Sequence, residues 1–265
     1  MERYAIFFDI DGTIVPEGTA EIPETTREAI RLAQKNGHYT FINTGRTYPA
    51  VDSFVKELNF DGYICGCGTN IYFQGEELMS KQLGNKLSAE ITRDLEKYHI
   101  DGILEGVHNI YYRKKPFHPD VLGIQKGRKE RGLVLKEDRF WDDADICYDK
   151  MALWLTKDSD FHTFRRKYET QFEMIQRADD FFELVPKGYS KASGMEYIEK
   201  HLGIAHEHTI AIGDSTNDLP MLSYAAISIA MGNSNPAIFN QVSYVTADIY
   251  EDGIYKALEH YDIIK

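Results

Sequence analysis

Cysteine is scarce in this sequence, with only Cys65, Cys67 and Cys147 among 265 residues. The number is odd, and the first residues, Met-Glu-Arg-Tyr, carry no long apolar signal core, so the disulfide framework of a small secreted domain is not expected. Long hydrophobic runs are also lacking, because charged residues interrupt every apolar stretch before it reaches the ~20 residues of a membrane-spanning helix. These absences predict a soluble, cytoplasmic protein that does not associate with a membrane.

Positive charge is in short supply as well. Lys and Arg number 30 against 42 Asp and Glu, which gives a formal net charge of −12. Binding to the phosphate backbone of nucleic acids depends on Lys and Arg, so the sequence argues against a nucleic acid as partner. The shares of hydrophobic and charged residues, 43% and 27%, are those of an ordinary globular chain and not of a disordered one. At ~150 residues per domain, the length predicts one large domain or two.

Both ends of the sequence show the alternation of strand and helix that is typical of α/β proteins. Residues 4–10 form a continuous apolar run that ends in acidic residues, as expected of a strand buried on both faces of a parallel sheet. In the helix that follows, Thr25 and Glu28 have the spacing of a capping box, and Asn36-Gly37 is a stop signal. The strands predicted in these two regions are 4–10, 39–43, 61–65, 70–73, 78–81, 209–212, 226–230 and 243–246. The helices predicted there are 23–36, 49–58, 191–202, 219–224, one opened by Asn235-Pro236 and one that begins at 251.

The pattern changes between about residues 84 and 187, and the regular alternation resumes only after this stretch. The elements predicted within it are helices at 88–98, 119–128 and 159–170, and strands around 107–109 and at 147–156, 172–177 and 181–185. We therefore predict an α/β fold with two parts. A doubly wound, Rossmann-like parallel-sheet core is made of residues 1–83 and 188–265, and an inserted α+β domain over 84–187 interrupts it.

Two carboxylates stand two residues apart at the end of the first predicted strand, in the segment Phe8-Asp9-Ile10-Asp11-Gly12-Thr13. In open α/β sheets, ligands bind at the carboxyl ends of the strands. Residues i and i+2 of a strand share a face, so we expect Asp9 and Asp11 to address one bound group, and Gly12 permits a sharp turn after them. Taken alone, the segment is equally compatible with a turn that carries solvated acids.

Three further segments are predicted at equivalent positions of the sheet. Thr44-Gly45-Arg46 offers a hydroxyl and backbone N–H groups that can hold phosphate oxygens. The carboxylates of segment 213–218 suit a hard cation such as Mg²⁺, and Lys191 brings a positive charge at the start of the preceding helix. Each segment by itself is also explained by a helix cap, an acid-rich turn or a solvated lysine. Four such segments at the strand ends of one sheet are hard to obtain by chance, and together they indicate a phosphate site.

These motifs resemble the haloacid dehalogenase superfamily, and specifically its Cof-type phosphatases with a large α/β cap domain. The resemblance covers nearly the whole chain. Two positions depart from the family pattern: Ala192 follows Lys191 where the family usually has Gly, and Cys67-Gly68 stands where Asn-Gly is common. The matching segments are Phe8-Asp9-Ile10-Asp11-Gly12-Thr13, Asn43-Thr44-Gly45-Arg46, Lys191, Gly213-Asp214 with Asn217-Asp218, Ala230-Met231-Gly232-Asn233 and Glu251-Asp252-Gly253-Ile254.

The resemblance implies a phosphoric monoester hydrolase that works through an aspartyl-phosphate. In that mechanism Asp9 attacks phosphorus, and Asp11 first protonates the leaving oxygen and then deprotonates the hydrolytic water. Mg²⁺ is the implied cofactor, bound by Asp9, the Asp11 carbonyl and Asp214. Thr44 and Lys191 are implied to hold the non-bridging phosphate oxygens. The full set of implied phosphate-binding residues is Gly12, Thr44, Gly45, Arg46, Lys191 and Asn217, and Asp218 is implied as a support for the metal ligands and Lys191.

The implied substrate is a small phosphorylated metabolite, with sugar phosphates as the first expectation and pyridoxal phosphate or flavin mononucleotide still open. Residues 84–187 would be the cap that selects the leaving group, and the basic segment Arg113-Lys114-Lys115 is a candidate contact for an anionic one. Other functions stay open at this point: a phosphomutase or phosphotransferase on the same scaffold, a non-catalytic phosphometabolite binder, or a phosphorylated signalling receiver. The sequence makes no prediction of the oligomeric state.

Two other clusters have the composition of metal ligands. Cys65-Gly66-Cys67 lacks a second cysteine pair, so buried small residues at a strand end are a better interpretation than a zinc site. His206-Glu207-His208 falls in a predicted loop that is remote in sequence from other ligands, and a solvated turn is expected there. Neither cluster is predicted to bind a metal.

Overall fold

The structure, a computed structural model, describes residues 2–130 and 139–265. The chain forms two compact units. The core unit comprises the chain up to Arg46 together with Val51–Met79 and Tyr189–Lys265, and the inserted unit comprises Thr47–Ala50 and Ser80–Gly188. The insertion predicted at 84–187 falls within the inserted unit.

Strands and helices alternate through much of the described chain, joined in places by short 3₁₀ turns. The strands are β1 (Ala5–Phe8), β2 (Tyr39–Asn43), β3 (Gly62–Cys65), β4 (Asn70–Phe73), β5 (Glu76–Ser80), β6 (Asp101–Glu105), β7 (Ile110–Tyr112), β8 (Arg139–Phe140), β9 (Lys150–Trp154), β10 (Phe172–Gln176), β11 (Phe181–Pro186), β12 (Thr209–Gly213), β13 (Ile227–Ala230) and β14 (Tyr244–Val245). The helices are α1 (Glu24–Lys35), α2 (Ser53–Lys56), α3 (Asn85–Lys97), α4 (Pro119–Glu130), α5 (Phe161–Tyr168), α6 (Lys191–Leu202), α7 (Leu219–Tyr224) and α8 (Gly253–His260). Within the described ranges, no helix combines the length and the apolar character needed to cross a bilayer.

The core unit is built on a sheet whose described strands are ordered β14-β13-β12-β1-β2-β3-β4-β5. The strands from β14 to β3 are parallel to their neighbours, and β4 pairs with β3 in the antiparallel direction. The chain order reverses at β1, which lies between β2 and β12. This is the topological switch point at which ligands bind in open α/β sheets. The predicted doubly wound parallel sheet is confirmed.

Helices cover both faces of the core sheet. Phe7 of β1 stacks on Phe41 of β2 with ring centroids 5.1 Å apart, in an apolar cluster that includes Met195 of α6 and Leu222 of α7. Alternate residues of β1 point to the opposite face. Helix α1 connects β1 to β2, and α7 connects β12 to β13, and these two crossovers run in opposite directions across the sheet. Because both crossovers are right-handed, the two helices lie on opposite faces. Helix α8 contacts α1 and so completes the second layer.

The close approach of helix α6 to strand β3 depends on a glycine. A Cβ atom at Gly194 would lie 2.3 Å from Cγ2 of Ile64, a β-branched side chain that is fully buried. We expect Gly194→Ala to lower the free energy of unfolding by about 1–3 kcal/mol, because the helix and the strand would have to move apart. Thermal and urea unfolding measure the change.

Gly123 offers the matched control for this substitution, since it also lies in a helix, α4, and a Cβ there would meet nothing within 4 Å. Gly123→Ala is expected to leave stability unchanged or to raise it by up to about 1 kcal/mol, because Ala has the better helix propensity. Equal unfolding midpoints for the two variants would contradict the packing of α6 on β3.

The inserted unit contains a second sheet, whose described strands are ordered β10-β11-β9-β6-β7-β8. Neighbouring strands are antiparallel except for β7 and β8, which are parallel. Leu95 of α3 and Phe164 of α5 belong to one apolar cluster, whereas Val121 of α4 packs with Trp154 in another. A mainly antiparallel sheet with packed helices is the α+β organisation that was predicted for this region.

One predicted helix is shorter than expected, and another is replaced by a 3₁₀ turn. The segment 49–58 forms a 3₁₀ turn, Tyr48–Ala50, and then the short α2, because the extended backbone of Asp52 (ψ 148°) separates the two. The segment opened by Asn235-Pro236 forms a 3₁₀ turn, Pro236–Gln241, in place of an α-helix. In both cases proline favours the first turn, but the regular helix does not continue.

Two smaller features also differ from the sequence predictions. Helix α1 begins at Glu24 with Pro23 in the N-cap position, so Thr25 already lies inside the helix and the predicted capping box is wrong. Strand β8 was not predicted, because two residues cannot show a periodic pattern.

Candidate active site

Three loops that carry predicted functional residues leave the core sheet at the same edge. Strand β1 pairs in parallel with β2 on one side and with β12 on the other. Asp9 follows β1, Thr44 follows β2, and Asp214 follows β12. The topology therefore gathers these three loops at the switch point of the sheet.

A buried ion pair lies at this edge. The Lys191 ammonium donates one hydrogen bond to Oδ1 of Asp9, at 2.7 Å, and another to Oδ1 of Asp218. Lys191 and Asp9 are only 2% and 4% exposed, and Asp218 is fully buried. Charge-assisted hydrogen bonds are strong in a site with little water, so these contacts fix the orientation of the Asp9 carboxylate.

Three carboxylates crowd around this single lysine. One oxygen from each of Asp9, Asp214 and Asp218 lies within 4.8 Å of the other two. Burial and the charge of Asp218 raise the pKa of Asp214 to about 7, and a hydrogen bond from Thr13 and the charge of Lys191 oppose this only in part. Burial likewise raises the pKa of Asp9 above its usual range. The acid cluster, as we call these three residues, therefore carries an excess of negative charge that a bound cation would relieve.

Asp218 also organises the loop after β12. Its Oδ2 accepts hydrogen bonds from the backbone N–H groups of Asp214, at 3.0 Å, and Ser215, at 3.1 Å. Gly213 is required beside it, because a Cβ there would lie 2.6 Å from Cγ of Asp218. Glycine is thus needed before Asp214 in the Gly213-Asp214 motif, because the Asp218 side chain packs directly against the end of strand β12.

The absence of a side chain at Gly12 makes room for the Asp214 carboxylate. Its φ is +75°, and a Cβ at this position would lie 2.3 Å from Oδ2 of Asp214. Thr13 donates from Oγ1 to the other oxygen, Oδ1, at 3.3 Å. The Gly12 carbonyl accepts a bond from Nδ2 of Asn233 at 2.8 Å, and Oδ1 of Asn233 accepts one from the N–H of Ile249. The sequence analysis did not assign this role to Asn233, although its segment belongs to the family resemblance.

Lys191 occupies the first position of helix α6. Ser190 is the N-cap: its Oγ accepts from the Ser193 N–H at 3.1 Å, and the Ser193 Oγ accepts from the Ser190 N–H at 2.9 Å. Nδ2 of Asn43 donates to the Lys191 carbonyl at 3.0 Å. These contacts fix where the helix begins and hence where the Lys191 side chain starts. The sequence analysis did not assign this contact to Asn43, although Asn43 belongs to a segment of the family resemblance and stands at the end of a buried strand.

Asp11 lies in a different environment from Asp9. Strand β1 ends at Phe8, so the rule that residues i and i+2 of a strand share a face does not reach these two acids. The Arg46 guanidinium donates to both Asp11 oxygens, from Nε at 3.0 Å and from Nη2 at 2.5 Å. Its Nη1 donates to Asp52 at 2.7 Å. The two carboxylates of the first motif thus contact different cations, and about half of the Asp11 side chain is exposed.

The remaining predicted phosphate-binding residues lie on the loops after β2 and β12. Thr44 is buried, and its Oγ1 accepts a hydrogen bond from the Arg46 N–H at 3.1 Å. Gly45 lies between these two residues. Oδ1 of Asn217 accepts from Oγ of Ser215. Their positions put a hydroxyl, an amide and backbone N–H groups on the loops that adjoin the acid cluster.

The cysteine and histidine clusters of the sequence do not form a metal site in the described residues. There, the one group of His, Cys, Asp or Glu side chains with metal-ligand spacing is the acid cluster. Among the described residues, none of the three cysteines forms a disulfide bond. The His206 imidazole lies 3.1 Å from the Glu199 carboxylate, and the His208 imidazole lies 3.1 Å from the Glu2 carboxylate. Both pairs are partly exposed to solvent.

Comparison with known proteins agrees with this arrangement. The haloacid dehalogenase-like hydrolase family matches residues 6–258. YkrA of Bacillus subtilis (strain 168), a protein that is named as a phosphatase, is 28% identical over 273 residues, which cover 100% of both chains. The 5-amino-6-(5-phospho-D-ribitylamino)uracil phosphatase YitU of the same organism is 25% identical over 269 residues, which cover 97% of each chain.

A solved structure shows the same fold. The sugar phosphatase BT4131, of subclass IIB of the superfamily, superposes with a TM-score of 0.81 and is 30% identical, over 98% of this chain and 100% of that one. The family match spans the motif-bearing loops as well as the inserted unit, and the relatives are named as phosphatases. The chain therefore belongs to the haloacid dehalogenase-like hydrolases, and within them it is a phosphoric monoester hydrolase of the Cof type.

Proposed function

We propose that the protein hydrolyses small phosphomonoesters in a Mg²⁺-dependent reaction that passes through an aspartyl-phosphate at Asp9. One observation carries this proposal. The Asp9 carboxylate is buried at the switch point of the sheet, is oriented by Lys191, and lies among more negative charge than the nearby ammonium balances. Such a carboxylate is well oriented as a nucleophile, and a cation is needed before a phosphate dianion can approach it.

The reaction would proceed in two displacements. In the first, a carboxylate oxygen of Asp9 forms a bond to phosphorus, the bond from phosphorus to the ester oxygen breaks, and Asp11 gives a proton to the leaving oxygen. In the second, water attacks phosphorus, Asp11 takes up a proton from it, and the bond between phosphorus and Asp9 breaks. The second step regenerates both side chains, so phosphate and an alcohol are the products.

Asp11 has to change partners before it can act as this acid. Both of its oxygens accept hydrogen bonds from Arg46 in the structure, and Arg46 has a second carboxylate partner in Asp52. Arg46 can therefore keep a partner when Asp11 turns toward the substrate. The exposed fraction of Asp11 gives it the freedom to turn, in contrast to the buried Asp9.

The phosphate group would be held by residues from three loops. Lys191 already touches Asp9 and can share its ammonium protons with a non-bridging oxygen. The Thr44 hydroxyl accepts from Arg46, so its own proton remains available to donate to a second oxygen. We assign supporting roles to the backbone of Gly12 and Gly45 and to Arg46 and Asn217, as the family resemblance implies.

The residues present also fit a divalent metal ion. Among the described hydrogen bonds, Oδ2 of Asp9 and Oδ2 of Asp214 have no partner, whereas both oxygens of Asp218 are engaged. Oxygen ligands of this kind suit Mg²⁺. We therefore propose that Asp9, Asp214 and the Asp11 carbonyl hold the ion, and that Asp218 does not. When bound, Mg²⁺ would supply positive charge that offsets the repulsion between Asp9 and the phosphate dianion.

Removal of divalent ions is expected to abolish hydrolysis of p-nitrophenyl phosphate, because the acid cluster would then repel the substrate. Activity should be lost in EDTA and restored by excess Mg²⁺. Ca²⁺ should restore it poorly, since its looser and higher coordination does not maintain the geometry that octahedral Mg²⁺ supports. Phosphate release is the measurement, and full activity in EDTA would contradict the metal assignment.

The substrate is proposed to be a small phosphorylated metabolite. The similar protein BT4131 is a sugar phosphatase, and YitU acts on a phosphoribityl compound by its name, so sugar and polyol phosphates are the first group to examine. A phosphate-release screen over phosphomonoesters, run beside Asp9→Asn, tests the proposal. Transfer of the phosphoryl group to a sugar acceptor without release of phosphate would indicate a phosphotransferase instead.

A further inference from the structure

Asp52 stands in the N-cap position of helix α2, where an aspartate side chain ordinarily accepts a hydrogen bond from a backbone N–H of the first turn. Within the described part of the chain, its carboxylate makes no such capping bond and accepts one from Nη1 of Arg46, at 2.7 Å. The Asp52 side chain is 12% exposed, against 53% for Asp11, the other carboxylate on this guanidinium. The less exposed of the two carboxylates therefore serves Arg46 and not the helix.

The backbone of Arg46 is held on both sides of its side chain. Its N–H donates to Oγ1 of Thr44 at 3.1 Å, and its carbonyl accepts from the N–H of Gly66 at 2.8 Å. The guanidinium binds Asp11 through Nε and Nη2 and Asp52 through Nη1, and all these residues belong to the core unit. Because the donors of a guanidinium form a rigid planar fork, its contact with Asp52 also limits where it can meet Asp11.

The two carboxylates on Arg46 share one positive charge. Asp11 has to leave Arg46 before it can give a proton to the leaving oxygen, since both of its oxygens accept from the guanidinium. Asp52 makes this separation easier in two ways. Its negative charge repels that of Asp11, and it stays with Arg46 as a charged partner after Asp11 has turned away.

We propose that Asp52 is a positioning residue that acts through Arg46: it lowers the cost of releasing Asp11 and so determines how well the protein cleaves esters whose leaving oxygen needs a proton. The inference rests on the proposed function, because it requires Asp9 as nucleophile and Asp11 as acid. Alkyl esters such as sugar phosphates have strongly basic leaving oxygens and depend on this proton. Activated aryl esters depend on it much less.

The test compares phenyl phosphate with p-nitrophenyl phosphate. The two esters are similar in size, but phenolate is the more basic leaving group and gains more from a proton. The quantity measured is kcat/KM, which reports only on the steps up to release of the phenol, so the later hydrolysis of the aspartyl-phosphate does not contribute. The leaving-group ratio is defined as kcat/KM for phenyl phosphate divided by kcat/KM for p-nitrophenyl phosphate.

Asp52→Asn is expected to lower kcat/KM for phenyl phosphate by roughly tenfold and that for p-nitrophenyl phosphate by less than about twofold. The leaving-group ratio should therefore fall by roughly fivefold or more. The variant should fold, because the Asp52 side chain does not cap α2 and an amide oxygen can still accept from Arg46. A change in the position of Arg46 that only weakens phosphate binding would lower both values equally and leave the ratio unchanged.

Two control variants test whether the charge at position 52 is responsible. Glu57→Gln removes an exposed negative charge directly after α2, and the leaving-group ratio should stay as in the wild type. Asp52→Glu keeps the charge on a longer side chain, and its ratio should lie closer to that of the wild type than the ratio of Asp52→Asn does.

The path through Arg46 is tested by a double-mutant cycle. In an Arg46→Met background, the further change Asp52→Asn should leave the leaving-group ratio unchanged, because the residue through which Asp52 acts is gone. Asp11→Asn removes the acid itself, so it should lower the ratio more than Asp52→Asn does.

The outcomes separate the inference from the function on which it rests. If the wild type does not hydrolyse p-nitrophenyl phosphate, or if Asp11→Asn keeps the wild-type ratio, the proposed function fails and the inference fails with it. If these two results are as expected but Asp52→Asn keeps the wild-type ratio, or lowers it equally in the Arg46→Met background, the inference alone is overturned. A ratio that falls in Asp52→Asn, persists in Glu57→Gln and does not change further in the Arg46→Met background supports it.

Discussion

Asp9→Asn is expected to reduce phosphate release by at least roughly 10⁴-fold, because an amide cannot act as the nucleophile that forms the aspartyl-phosphate. The substitution keeps the shape of the side chain. Burial and the neighbouring Asp218 charge raise the pKa of Asp9, which means that the ionised form is unfavourable in the folded protein. An uncharged amide removes that unfavourable term, and Lys191 keeps Asp218 as a partner. We therefore expect the variant to be as stable as the wild type, so the loss of activity cannot be attributed to unfolding.

Trapping of the intermediate makes this test specific. Acid quenching of the wild type during turnover should yield protein that carries one phosphoryl group on the peptide containing Asp9, as read by mass spectrometry, and Asp9→Asn should yield none. Asp61→Asn is a suitable control, because Asp61 lies before β3 and accepts from the Thr40 N–H at 2.8 Å, a contact that an amide oxygen retains. Substantial phosphate release by Asp9→Asn would show that the nucleophile lies elsewhere.

The sequence predicts best those helices and strands that have a capping residue or a glycine turn at both ends. Helix α6 was predicted at 191–202, its observed bounds, because Ser190 caps it and Gly203 ends it with φ 64°. Strand β2, at Tyr39–Asn43, is bounded by glycine turns and was also predicted at its observed bounds. The segment 49–58 lacked such signals. Its helical pattern is interrupted at Asp52, whose carboxylate accepts a hydrogen bond from the Arg46 guanidinium, and a side-chain contact of this kind leaves no periodic signal in the sequence.

The candidate site was likewise predicted only where the fold alone determines the position of a residue. Placing Asp9, Thr44 and Asp214 at one sheet edge required only the strand order of a parallel α/β fold. The partner of Asp11 could not be derived in that way, because the direction of its side chain is set by the turn after β1, where the twofold periodicity of the strand no longer applies.

Lys191→Met is expected to give the largest combined loss of stability and activity. Lys191 is 2% exposed, and its ammonium is the cation that contacts both Asp9 and Asp218. Methionine fills a similar volume but leaves these carboxylates buried beside Asp214 without a counter-charge. Removal of one partner from a buried ion pair costs about 3–5 kcal/mol, and the same substitution removes a contact to the transferred phosphate, which we expect to lower kcat by at least roughly 10²-fold.

Lys200→Met provides the matched control on the same helix. The Lys200 side chain is 73% exposed, and its one ion pair within the described ranges is with Glu196, one turn away. Its loss should therefore cost no more than about 0.5 kcal/mol and leave kcat unchanged. A double variant, Lys191→Met with Asp218→Asn, then separates charge from volume. The amide oxygen introduced by Asp218→Asn would still accept from the N–H groups of Asp214 and Ser215, while one unpaired charge is gone, so part of the stability should return without any return of activity.

If Lys191→Met unfolds at the same urea concentration as Lys200→Met, the buried lysine does not balance the acid cluster, and the electrostatic basis proposed for the site is wrong.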